Sequence, residues 1–142
     1  METDETIKKG FLRLERYAQN IPGGFHCCAE DPENGYPFAY VSDRFLEILG
    51  WEREEFAARF DNRYTALIHP DDLAAGLRYR NAENSATYAK NGDSIFRILG
   101  KNGYRWVTNA ANQVEWYGKG YIVGTITDIT PYMELREKLE QQ

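Results

Sequence analysis

The chain has 142 residues, 17 basic against 22 acidic for a net charge of −5, with 14% aromatic residues and only two cysteines. That length suits one domain with one core, the aromatic content excludes a disordered chain, and the absence of any basic run excludes the electrostatic footprint of a nucleic-acid binder. No apolar stretch approaches the ~20 residues of a membrane span, the acidic Met1 to Glu5 start is unlike a signal peptide, and adjacent Cys27 and Cys28 are no disulfide framework, so a reducing, cytoplasmic location is expected.

From Thr6 to Asn20, the residues Ile7, Phe11, Leu14 and Ala18 make one stripe of an amphipathic helix, which Pro22-Gly23-Gly24 ends. A strand follows from Phe25 to Glu30, then the turn-rich Asp31 to Gly35, then a strand from Tyr36 to Val41, together a hairpin. Ser42 or Asp43 caps a short helix carrying Phe45, Leu46, Ile48 and Leu49 that Gly50 stops, and another helical turn or two runs from Glu54 to Phe60. Pro70, with Asp71 and Asp72 in the first turn, opens a longer helix to about Ala89. Its inward face is either Leu73-Leu77-Asn84-Tyr88 or Ala75-Tyr79-Ala82-Ala86, and periodicity does not choose.

Three strands come next, Asp93 to Gly100, Tyr104 to Trp116 and Tyr121 to Ile129, joined by turns at Asn102-Gly103 and Tyr117 to Gly120. Thr130 reads as an N-cap with Pro131 at the first helical position, and Tyr132, Leu135 and Leu139 mark a stripe running on to the last residues. Two hairpin-linked strand blocks around helices imply an α+β domain with a five-stranded antiparallel sheet.

Five segments in this order resemble the PAS family: Ile21 to Gly24, Tyr40 to Trp51, Ile68-His69-Pro70-Asp71-Asp72, Gly100 to Val107 and Gly124 to Thr130. The resemblance implies a sheet of order 2-1-5-4-3 with the helices on one face, enclosing a small cavity. It divides the chain into an N-terminal amphipathic helix over 1–20, a core over 21–130, and the start of a C-terminal linker or signalling helix over 131–142. Asp128-x-Thr130 is similar to the family's closing signature, where the last strand hands over to a helix leading into an effector. Thr130 would cap that helix and Asp128 would tie strand to helix.

The resemblance also bears on cofactors. The family's flavin-binding light sensors carry a reactive Cys where Asp61 stands here, and Asn and Gln side chains where Ile98, Val107 and Ile126 stand, so flavin is disfavoured. Haem is disfavoured as well, since no His lies between Asp71 and Ala89, and His69 suits a loop or capping role better. Alternation puts only His26 and Cys28 on one face of their strand, one ligand short of a metal site, so strand packing is the better reading and no metal is assigned. The Gly118 to Gly124 run precedes a strand instead of opening a helix, so it is a hairpin turn and no phosphate loop. Nothing here resembles catalytic machinery.

If a small molecule binds, alternation and the family's geometry place inward Cys28, Phe38, Tyr40, Phe96, Ile98, Val107, Asn109, Ile122 and Ile126. Most of these would be core residues in any case; Asn109 is different, because a polar side chain facing a core needs a partner. The stripe Ile7, Phe11, Leu14 and Ala18 either folds back on the outer sheet face or pairs with its copy in a homodimer, and both remain open. The expected function is sensory regulation within a multidomain bacterial signalling protein, its covalently linked effector a diguanylate cyclase or histidine kinase. The alternative is a small-molecule or cofactor carrier.

Overall fold

The computed structural model describes residues 9–10, 23–77 and 94–141. The strands are β1 (Gly24–Ala29), β2 (Phe38–Val41), β3 (Ser94–Gly100), β4 (Gly103–Trp116) and β5 (Lys119–Asp128), and they form one antiparallel sheet in the order β2-β1-β5-β4-β3. Between β2 and β3 lie short helices α1 (Asp43–Leu49), α2 (Arg53–Arg59), α3 (Tyr64–Leu67) and α4 (Leu73–Gly76), and α5 (Thr130–Glu140) leaves the last strand.

Local chemistry sets these boundaries. The Ser42 hydroxyl accepts the Phe45 N–H at 3.2 Å and so caps α1, and Gly50, at φ 81, ends it. Glu52 and Glu55 form a reciprocal capping box on α2. The β4–β5 hairpin turns on Tyr117 (φ 53) and Gly118 (φ 76), two successive left-handed residues of the kind that match strand twist.

One face of the sheet and the helices share a core in which Phe45, Phe60, Phe96, Leu67, Ile98, Val107 and Ile126 are fully buried. On the opposite face Cys27 and Tyr121 are buried among Tyr40, Trp116 and Val123, so the two cysteines point to opposite sides as alternation requires. Tyr40 corrects the expected inward set. Cys28 pairs with Phe38 but Cys27 pairs with Tyr40, so Ala39 is an extra residue and the parity of β2 flips across it. Phe38 therefore stays among the rings of Phe45, Phe56 and Tyr64, whereas Tyr40 meets Phe25 on the outer face.

Of the helix expected from Pro70, the described part is a tight turn over Pro70–Asp72 followed by α4, with residues 78–93 outside the described residues. Within that part neither proposed stripe holds alone, since Ala75 and Leu77 both pack on the core while Leu73 is 38% exposed. His69 has the capping role assigned to it: its Nδ1 accepts the Asp71 N–H at 3.1 Å.

Candidate functional site

The inner face of the sheet carries a polar crossing in the middle of an apolar core. His26 on β1 and Asn109 on β4 are 1% and 2% exposed, and His26 Nε2 lies 3.0 Å from Asn109 Oδ1 across the intervening β5. A carboxamide oxygen only accepts, so Nε2 carries the proton and Nδ1 is left as an acceptor. That Nδ1 is buried and has no hydrogen-bond partner among the described residues. The contact is possible because β5 has Gly124 at the crossing: a Cβ there would sit 2.7 Å from Asn109 Oδ1 and 2.9 Å from His26 Nε2. Burial in apolar surroundings pulls the His26 pKa down to about 4, outweighing the Asn109 hydrogen bond that raises it.

Beside this pair is a cavity of about 10 Å³, lined by His26, Cys28, Tyr36, Tyr64, Asn109, Ile122 and the Gly76-Leu77 end of α4. That is space for about one water molecule. Of the residues expected to face inward, Cys28, Asn109 and Ile122 line it, whereas Phe38, Phe96, Ile98, Val107 and Ile126 are packed into the core. His26, Tyr36 and Tyr64 were missed. The signal for His26 was present, because it shares the parity of Cys28, and Gly124 opens the sheet to Asn109.

No group of three His, Cys, Asp or Glu among the described residues is placed to hold a metal ion. Burial raises the thiol pKa of Cys27 to about 12 and that of Cys28 well above its ordinary value, so both stay protonated at neutral pH.

The second constellation is the exit from β5. Asp128 Oδ2 accepts from Arg105 Nε at 3.0 Å and Nη2 at 2.7 Å, while Oδ1 accepts the Thr130 N–H at 2.9 Å. Burial pushes the Asp128 carboxyl up, but the hydrogen bonds from Thr130 and Arg105 together outweigh it and hold the group below the usual carboxylate range. Thr130 is not the cap it was expected to be: it is the first residue of α5, and its hydroxyl accepts the Trp106 N–H at 2.8 Å. β5 stops pairing at Asp128, opposite Val107, so the next main-chain groups of β4 need partners. Thr130 supplies one, and the Ile129 N–H supplies the other by donating to Trp106 O at 2.8 Å.

Beyond the junction, α5 turns Thr130, Met133, Glu134 and Glu137 toward an open groove of about 460 Å³ floored by Tyr104 and Trp106. Tyr132, Leu135 and Leu139 are 62%, 57% and 62% exposed. The stripe Ile7, Phe11, Leu14 and Ala18 lies outside the described residues. Its neighbour Gly10 is helical and lies against the Trp116 indole, which an added Cβ would meet at 2.6 Å.

The sheet order, the short helices laid over one face and the small cavity between them define the PAS architecture. The sequence model of the PAS fold matches residues 38–126, more than half of the chain, and the chain belongs to that family, a family of sensor modules. No curated protein sequence matches it. Among solved structures it resembles an RNA-binding Light-Oxygen-Voltage receptor (TM-score 0.61, 18% identity, 94% of this chain), although it spans only 36% of that receptor. It also resembles the sensory box histidine kinase/response regulator of Burkholderia thailandensis E264 (TM-score 0.56, 22% identity, 90% of this chain and 92% of that one). The PAS domain of the fruit-fly ELK potassium channel is similar as well (TM-score 0.53, 16% identity, 87% and 97%). At these identities the likeness is one of fold, and proteins as unlike as a kinase and a channel share it. Among the described residues no helix is long and apolar enough to cross a membrane.

Proposed function

We propose that this chain is the sensory and regulatory domain of a multidomain bacterial signalling protein, and that it passes the state of its interior or of a partner through α5 to a covalently linked effector such as a diguanylate cyclase or histidine kinase. The observation that carries this reading is the junction: α5 is held to the sheet by the carboxylate of Asp128, the hydroxyl of Thr130 and the Ile129 N–H, all of them bonded to Arg105 or Trp106 of β4. A helix held by a few directional bonds on a stiff sheet can change angle or register when the sheet is strained. The outward stripe of Tyr132, Leu135 and Leu139 fits pairing with a second copy, so the working unit in this reading is a homodimer.

The reading assigns no catalysis to the chain and needs neither flavin nor haem. Asp61, where the light sensors carry their thiol, is an exposed loop residue at φ 49. The test is Asp128→Ala in the full-length protein with effector output measured against signal. Output is expected to lose its signal dependence, and an unchanged response with an intact fold would defeat the reading.

A second reading, a small-molecule carrier, is favoured by one feature, the buried acceptor Nδ1 of His26 at the cavity wall. Its occupant would have to be a small hydrogen-bond donor. Native mass spectrometry of the purified chain decides this: a retained molecule supports the carrier, and a ligand-free dimer supports regulation at the protein level.

A further inference from the structure

We infer that Arg97 is a positioning residue that carries movement of α4 to the exit helix by way of Trp106, an inference that rests on the junction reading above. The route begins at the cavity. The Tyr64 ring is stacked on His26, with centroids 5.5 Å apart and planes 17° from parallel, and its O–H donates to Gly76 O at 2.9 Å. Gly76 is the last residue of α4, so a change at the cavity wall acts on one end of that helix.

The other end of α4 is fixed to the sheet edge at a single residue. Asp72, directly before the helix, accepts the Arg97 N–H at 2.9 Å and Nε at 2.8 Å on Oδ2, and Nη2 at 3.0 Å on Oδ1. Arg97 O in turn accepts the His69 N–H at 2.9 Å. With one guanidinium edge held by two bonds and the main chain engaged as well, a shift of α4 moves the Arg97 side chain with it and does not merely stretch one contact.

That side chain lies on the indole of its cross-strand neighbour, Arg97 Cζ being 5.0 Å from the Trp106 ring. Trp106 is also the residue whose N–H and C=O are held by Thr130 and Ile129. One residue is therefore gripped by its side chain from the α4 side and by its main chain from the α5 side. α4 has four residues, whereas β4 is paired along all of its length, with β3 from Gly103 to Asn109 and with β5 from Val107 to Trp116. The helix is the part that yields, and Trp106 is where its movement meets the exit helix.

The experiment is amide hydrogen exchange on the full-length protein, read at Met133 and the following α5 amides, together with effector output. The variants are Arg97→Lys, which keeps the charge but loses the fork and the stack, and Asp72→Asn, which keeps the shape. Each is expected to raise α5 exchange about fivefold and to alter output in the direction of Asp128→Ala, with the Arg97→Lys/Asp128→Ala double variant falling short of the sum. Faster exchange confined to β3, with α5 and output as in the wild type, overturns the inference. Should Asp128→Ala alter output while the other two do not, only this inference falls; should Asp128→Ala leave output unchanged, the junction reading fails with it. Trp106→Phe, which keeps the main-chain grip and weakens the stack, gives the same readout if the edge variants do not fold.

Discussion

At the scale of single residues the interior depends on an atom that is missing. Gly124 faces the core from the middle of β5, and only without a Cβ can the imidazole of His26 reach Asn109 over it. Gly124→Ala would push its methyl group into both polar atoms, and the pair has to separate or β5 has to bow. We expect a loss of about 1–3 kcal/mol, the range for overpacking a filled site or breaking a buried hydrogen bond. Urea denaturation gives the answer, with Gly50 as the contrast: the nearest atom to a Cβ there is 3.6 Å away, so Gly50→Ala costs only what its left-handed φ of 81 demands. Equal stability of wild type and Gly124→Ala would show that the crossing is loose and that the cavity wall can rearrange freely.

At the scale of elements the informative contact is between the end of β5 and β4. Thr130→Val keeps the shape and removes the hydroxyl, leaving the Trp106 N–H without its partner, at an expected cost of about 1–3 kcal/mol. Trp106 amide exchange should rise with the loss, and protection unchanged from the wild type would mean that the hydroxyl is dispensable there. The exposed stripe gives a separate prediction: Leu135→Asp should convert a dimer to monomer in size-exclusion chromatography with light scattering, while an unaltered mass would remove α5 from the interface. The five strands, α1, α2 and α5 were legible in the sequence, though α3 was not, because punctuation by Gly, Pro and capping residues is local: Gly50 stops α1, Asp31 to Gly35 turns the first hairpin, and five spaced motifs carry the sheet order. What was not legible depended on contacts between distant segments. The Ala39 bulge flips Tyr40 outward, yet the sequence Phe38 to Val41 reads as plain alternation, since only pairing with Cys27 and Cys28 reveals the extra residue. Thr130 has the composition of a cap, and its hydroxyl was drawn elsewhere by an N–H on β4, 24 positions away in the chain. The Asp72–Arg97 link, likewise, joins residues that no short motif contains.

At the scale of the molecule each edge of the sheet is met by main-chain and side-chain groups of the helical segment. On the β2 edge, Asn62 O accepts the Phe38 N–H and Asn62 Nδ2 donates to Phe38 O; on the β3 edge, Asp72 and His69 serve Arg97 in the same way. Such closure guards against edge-to-edge association and couples the sheet to the helices, so global stability should follow the ionisable groups buried between them. His26 is the group that matters near neutrality. Its folded pKa is lowered to about 4 from an unfolded value of about 6.5, so below pH 6.5 the unfolded chain takes up a proton that the folded chain refuses. Stability is therefore complete above pH 6.5 and falls down to about pH 4, by roughly 3 kcal/mol for a shift of this size. Asp72 and Asp128 act lower. Hydrogen bonds from Arg97 depress Asp72, and those from Thr130 and Arg105 depress Asp128 despite its burial, so their contribution is present above the ordinary carboxylate range and is lost as pH falls below it. On the alkaline side the raised thiols of Cys27 and Cys28 contribute fully below about pH 9 and lose their share as the unfolded chain ionises above it. Denaturation midpoints from about pH 2 to 10 should therefore trace a plateau with an acid and an alkaline limb. His26→Gln should abolish the fall between pH 6.5 and 4 while leaving the one below it, and a wild type that is flat through that interval would place His26 in contact with solvent, not in the core.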